Sequence, residues 1–230
     1  QESCDRHVSF FHGCYINYNY PDLGKDLVHV LNALGYGVHL LEREKCCGVA
    51  LIANGLYDQA RRQALTNMES IRRSVTGERR PVIVASSTCT FTMRDEYPHV
   101  LGVGNEDVRD GIDLVTRFVY RIIDSGEARL RFRDDVRMKA AYHTACHMER
   151  LGWSCYSIAL LRMIPTLELT LLPSQCCGIA GTYGFKKENY AASQGIGAPL
   201  FKTIEQTDAE WVVTECETCK WQIEMSTSRR

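Results

Sequence analysis

The sequence has no long apolar run. No stretch approaches the roughly 18 consecutive apolar residues that a membrane-spanning helix needs, and this holds along all 230 residues. Charge of one sign is not in excess either. A formal net charge of −1 predicts no broad electrostatic footprint for nucleic acid or anionic lipid. The opening residues lack the secretory pattern of basic start, apolar middle and small-residue cleavage site. There is no G-x-x-x-x-G-K-[ST] and no G-x-G-x-x-G after a strand, so the nucleotide-binding fingerprints are missing. No Ser/His/Asp or paired-carboxylate constellation stands out. An initial methionine is absent too: the chain opens Gln1-Glu2-Ser3, and is expected to be a processed chain or a piece of a longer one.

What is abundant is cysteine, with eleven residues. A disulfide framework suits small secreted chains that cannot build a core. This chain is 45% hydrophobic and carries two vicinal Cys-Cys pairs. Adjacent cysteines bridge poorly, because the bond strains the backbone. Metal or cluster ligation in a reducing compartment is therefore the better reading.

Nine cysteines fall on a repeated grid. The first copy is Cys14, then Cys46-Cys47-Gly48, then Ser86-Ser87-Thr88-Cys89. The second is Cys146, then Cys176-Cys177-Gly178, then Cys216-Glu217-Thr218-Cys219. One slot breaks the repeat: Ser86 stands where the second copy has Cys216. Cys4 and Cys155 lie off the grid. Cys4 has no evident partner, and Cys155 sits in an apolar helical run where a buried small hydrophobe is expected.

Each half reads as strand, helix, strand, helix, strand. Strands are expected at 7–11, 38–41 and 81–85, and again at 138–142, 167–172 and 211–214. Helices are expected from Pro21, over 56–75 and from about 91, and then over 154–164, 186–206 and 220–226. An interruption of the 186–206 helix could fall at Gly195-Ile196-Gly197 and Pro199. Asp110 to Ser125 reads as one amphipathic helix, with Ile112, Val115, Phe118, Val119, Ile122 and Ile123 on one face. Packing on its own core or between the halves is preferred over contact with a partner or membrane. The alternation implies an α/β fold of two tandem repeats, each a small parallel sheet flanked by helices. The expected boundaries are 7–125 for the first repeat, 126–137 for an arginine-bearing linker and 138–228 for the second repeat.

Every grid position lies just past a predicted strand. In a parallel sheet those carboxyl ends share one edge, where ligands of open α/β folds sit. Five sulfurs should converge in the second half: Cys146, Cys176, Cys177, Cys216 and Cys219. Four should do so in the first: Cys14, Cys46, Cys47 and Cys89. Five thiolates exceed what tetrahedral zinc uses and favour an iron–sulfur cluster. The first set could hold a cluster or zinc. Serine is a poor ligand beside thiolates. The loop after Cys176-Cys177-Gly178 is richer in glycine than its counterpart and is expected to wrap a cluster, with Lys186 and Lys187 at its exposed margin. For His12, His143 and His147, supporting hydrogen bonds or surface positions are preferred over ligation.

The doubled pattern resembles the cysteine-rich CCG domains. These occur in the B subunit of heterodisulfide reductase, in lactate-oxidation proteins and in the C-subunit family of anaerobic glycerol-3-phosphate dehydrogenases. Phe11-His12-Gly13-Cys14, Ser86 to Phe91, Ser174 to Tyr190 and Cys216 to Ser228 look most like the last. The resemblance implies an iron–sulfur electron-transfer subunit without its own catalytic residues. It would pass electrons from a flavin subunit, with an accessory subunit, toward menaquinone at the inner face of the cytoplasmic membrane. It implies a non-cubane [4Fe–4S] cluster on Cys146, Cys176, Cys177, Cys216 and Cys219. Cys14, Cys46, Cys47 and Cys89 would hold an iron–sulfur cluster or zinc. The alternatives are a catalytic thiol/disulfide redox subunit and a zinc-bound docking module. Full-length members of this family carry two ferredoxin-type runs (C-x₂-C-x₂-C-x₃-C-P) ahead of the repeats, and this sequence has none.

Overall fold

The computed structural model describes residues 4–229, so the Gln1-Glu2-Ser3 opening lies outside them. The residues form two compact units, one ending at Leu130 and the next beginning at Arg131. Each unit is a parallel sheet flanked by helices, as the alternation of elements requires.

The first unit has strands β1 (Arg6–Phe11), β2 (Tyr36–Leu40), β3 (Val82–Val84) and β4 (Ile112–Leu114), in the order β2-β1-β3-β4. All three pairings are parallel. Val82, Ile83 and Val84 are fully buried, which is why this strand reads as an unbroken apolar run rather than an alternating one. Helix Tyr57–Arg72 presents Ala60, Ala64, Met68 and Ile71 to a core shared with Phe11, Val84, Met93, Tyr97 and Ile112.

β4 corrects the expectation of one helix from Asp110 to Ser125. Ile112–Leu114 extends the sheet, and the helix runs only over Val115–Asp124. The strand is three residues long and wholly buried. Ile112 falls three residues before Val115, so it prolongs the helical period and hides the change of element. The helix buries Val119 and Ile122, so it packs on the core of its own unit.

The second unit has β5 (Met138–Tyr142), β6 (Leu167–Leu171) and β7 (Trp211–Val213), in the order β6-β5-β7, again all parallel. Helix Tyr190–Glu205 runs unbroken through Gly195, Gly197 and Pro199. Burial of Leu200, Phe201 and Ile204 outweighs the one backbone donor that proline removes. Cys155 is exposed rather than buried. It lies in the first turn of helix Ser154–Arg162, whose buried residue is Ser157.

Two glycines set how closely each Cys-Cys-Gly triplet approaches its neighbouring helix. Gly48 and Gly178 both have left-handed backbones, with φ of 94° and 87°. A β-carbon on Gly178 would lie 2.1 Å from the carbonyl oxygen of Ser193, whereas one on Gly48 would make ordinary contact with Ala60 at 3.5 Å. On the other side of the same contact, a β-carbon on Gly197 would lie 2.6 Å from the Cys177 carbonyl oxygen. Gly178→Ala is therefore expected to cost about 2–5 kcal/mol, from left-handed strain plus overpacking. Gly48→Ala is expected to cost only about 1–2 kcal/mol, from strain alone. Urea unfolding of the two variants checks this, and equal losses would contradict it.

Two candidate cysteine-rich metal centres

Sheet order gives the sites their location. In each unit the chain moves from the central strand to one side and then to the other. This opens a crevice at the carboxyl ends of the strands. All nine grid cysteines follow those ends.

In the first unit, Cys14 sits in the short helix Gly13–Tyr18 after β1. Cys46 and Cys47 lie in the loop after β2, and Cys89 is in helix Ser87–Phe91 after β3. The sulfurs meet in pairs: Cys46 and Cys14 are 3.6 Å apart, and Cys89 and Cys47 are 3.4 Å apart. Cys47 is buried and Cys14 exposed. Hydrogen bonds from Cys14 and Cys47 pull the Cys46 thiol down to about 3. Its neighbour Cys47 is pushed up by its bonds to Cys46 and Cys89.

Polar side chains brace this arrangement. Asn67 Oδ1 accepts from the Lys45 N–H at 2.8 Å. Asn67 Nδ2 donates to the carbonyls of Lys45 and Cys46 and to the Tyr97 hydroxyl. Glu44 accepts from the backbone N–H groups of Gly13 (2.7 Å) and His12 (3.1 Å), tying the Cys14 loop to the Cys46 loop. Burial pushes the Glu44 carboxyl up to about 7. The sequence reading assigns no role to Asn67 or Glu44. Asn67 carries a usable signal, because it interrupts the apolar face formed by Ala60, Ala64, Met68 and Ile71.

In the second unit, Cys146 begins helix Cys146–Leu151 after β5, and Cys176 and Cys177 follow β6. Cys216 caps helix Glu217–Ser226 after β7, and Cys219 lies in its first turn. The Cys177 and Cys219 sulfurs are 3.0 Å apart. The Cys176 sulfur accepts from the Gly178 N–H at 3.3 Å. Hydrogen bonds from Cys176 and Cys219 bring the Cys177 thiol down to about 3, while those two partners are pushed up. Cys146 is raised mainly by burial and interacts with Cys216 and Cys177. Crowded thiols oppose one another's ionisation, so neighbouring sulfurs in each set are shifted in opposite directions.

Ser86 and Cys216 occupy the same structural position. The Ser86 hydroxyl accepts from the Cys89 N–H at 3.5 Å, and the Cys216 sulfur accepts from the Cys219 N–H at 3.4 Å. Each caps the helix that carries the last cysteine of its set. The gap in the grid is thus one hydroxyl in place of one thiol on an otherwise matching frame.

The histidines differ among themselves. His12 is half-buried, with Nδ1 3.3 Å from Glu44. His143 is 1% exposed, and His147 is half-buried on the helix that Cys146 begins. Lys186 and Lys187 are exposed.

Sulfur-rich donor sets of this kind suit soft metals and iron–sulfur clusters. Among the described residues, no three cysteine, histidine, aspartate or glutamate side chains converge as a single bound ion would need.

Comparison with known proteins agrees with the repeat. The cysteine-rich domain (CCG) pattern matches residues 8–94 and 140–224. The chain is 63% identical over 223 residues to the C subunit of anaerobic glycerol-3-phosphate dehydrogenase from Escherichia coli K12, covering 97% of this chain and 56% of that protein. It is 31% identical to lactate utilization protein A of Anoxybacillus flavithermus, covering 90% of this chain and 85% of that one. It is 28% identical to the B subunit of the fumarate reductase (CoM/CoB) of Methanothermobacter marburgensis, covering 95% and 42%. The chain spans little more than half the length of the Escherichia coli relative. On the twofold pattern match and these identities, the chain belongs to the cysteine-rich CCG domain family.

Proposed function

We propose that this chain is the cysteine-rich part of an iron–sulfur electron-transfer subunit of an anaerobic sn-glycerol-3-phosphate dehydrogenase. In this reading it relays electrons from a flavin subunit toward menaquinone and has no catalytic residue of its own. One observation carries the proposal: five cysteines follow the carboxyl ends of three parallel strands, in a chain 63% identical to the C subunit of such an enzyme. The working units are the repeats 7–125 and 138–228, joined by 126–137.

In the second repeat, Cys146, Cys176, Cys177, Cys216 and Cys219 would hold a [4Fe–4S] cluster of non-cubane type. In the first, Cys14, Cys46, Cys47 and Cys89 would hold an iron–sulfur cluster or zinc. An iron–sulfur cluster bound there supplies reversible one-electron transfer. The protein's own contribution is to fix the thiolates on strand ends and to exclude water around Cys47, Cys177, Cys216 and Cys219, all buried. Asn67, Glu44 and Gly178 hold the loops to their helices. No helix among the described residues is long and apolar enough to cross a membrane, so a peripheral position on the inner face of the cytoplasmic membrane is part of the proposal.

Two experiments test this reading. Cys177→Ala is expected to lose the iron of the second repeat while the first repeat keeps its fold and its metal. Unchanged iron content would count against the ligand set. Replacing the matching stretch of the Escherichia coli relative with this chain is expected to preserve glycerol 3-phosphate-dependent quinone reduction. A chimera that assembles with an active flavin subunit yet passes no electrons would contradict the proposal. If the chain alone turned over a disulfide substrate, a thiol/disulfide redox role would replace it.

A further inference from the structure

Two buried polar groups beside the second cysteine set have no hydrogen-bond partner. His143 directly follows β5, and its backbone N–H donates to the Val213 carbonyl at 2.9 Å. Its side chain is enclosed, yet neither Nδ1 nor Nε2 meets a partner. Thr214 directly follows β7, and its Oγ1 is likewise buried and unpartnered. The β5–β7 pairing ends at Tyr142 opposite Val213, so His143 and Thr214 share the next position at the edge that bears the cysteines. His143 interacts electrostatically with Cys177 and, less strongly, with Glu149. Burial keeps its imidazole below the usual histidine range, and the ring has at least one N–H to donate in either protonation state.

An enclosed donor left without an acceptor costs about 1–3 kcal/mol. The first repeat avoids that cost. Its corresponding residues are Phe11 and Val84, paired in the same register and both buried. Both repeats fold around the same strand ends, so the fold itself does not demand polar groups there. The difference follows the cysteines: the repeat with Cys216 has His143 and Thr214, and the repeat with Ser86 has Phe11 and Val84.

We propose that His143 and Thr214 donate hydrogen bonds to sulfur atoms of the group held by the second cysteine set, as positioning residues that raise its reduction potential. The assignment rests on the iron–sulfur reading above. Reduction adds negative charge to the sulfurs, and N–H and O–H donors favour that charge. Phe11 and Val84 offer no such donor. The surroundings of the two cysteine sets therefore differ through four side chains as well as through the missing thiol.

The test uses the whole chain, reconstituted anaerobically with iron and sulfide, in four variants. His143→Phe, Thr214→Val and their combination copy the residues of the first repeat, and His143→Gln keeps a donor. Iron and sulfide content are measured with potentiometric titration followed by EPR. The expected result is metal content equal to the parent and a second-site midpoint shifted to more negative potential. The shift should be larger in the double variant and partly restored in His143→Gln, with the metal content of the first site unchanged. An unchanged midpoint in an iron-replete double variant would overturn the assignment alone. Loss of iron in His143→Phe, with nitrogen hyperfine coupling to iron in the parent, would also overturn it, because His143 would then be a ligand. A parent chain that takes up no iron would overturn the iron–sulfur reading and this assignment with it.

Discussion

Parallel strand pairing is the constraint on which the rest depends. It puts the carboxyl ends of β1, β2 and β3 on one edge, and those of β5, β6 and β7 on another. Cysteines as much as 75 residues apart in sequence, such as Cys14 and Cys89, are brought to one crevice with no local turn connecting them. The crossovers that parallel pairing requires also supply the helices that brace the loops. Tyr57–Arg72 contributes Asn67 to the Cys46 loop, and Tyr190–Glu205 receives Gly178 against Ser193. A slip in either sheet would displace sulfurs of that unit.

The two repeats share a frame but not a chemistry. Ser86 and Cys216 cap the same turn. The first crevice is braced by polar contacts among its own residues, with Glu44, Asn67 and Tyr97 all satisfied. The second is packed by close backbone approach at Gly178 and Gly197, and it leaves His143 and Thr214 with unspent hydrogen-bonding capacity. A fold repeated within one chain thus presents two different surroundings to sulfur.

Much of this was legible in the sequence. The placement of the grid cysteines after strand ends was readable, because apolar runs such as Pro81 to Ala85 end where the grid positions begin. The missing thiol at Ser86 was visible from spacing alone. β4 was hidden because a three-residue buried strand has no period of its own and Ile112 falls in step with the next helix. The continuity of Tyr190–Glu205 was obscured by Gly195, Gly197 and Pro199, whose local cost is offset by packing at Leu200 and Ile204. The exposure of Cys155 could not be read from an apolar neighbourhood that faces outward only in three dimensions. Hydrogen-bond satisfaction, which separates His143 from His12, exists only once the strands are paired.

The central claim is that the second thiol set holds redox-active iron. The most direct test is the iron, acid-labile sulfide and zinc content of the anaerobically purified and reconstituted chain, with EPR of its oxidised and reduced forms. Iron and sulfide in near-equal amounts, with a signal that appears and disappears on redox cycling, is the result predicted here. Zinc alone, with no iron that can be reconstituted, would contradict the account and leave a cysteine-rich scaffold for docking.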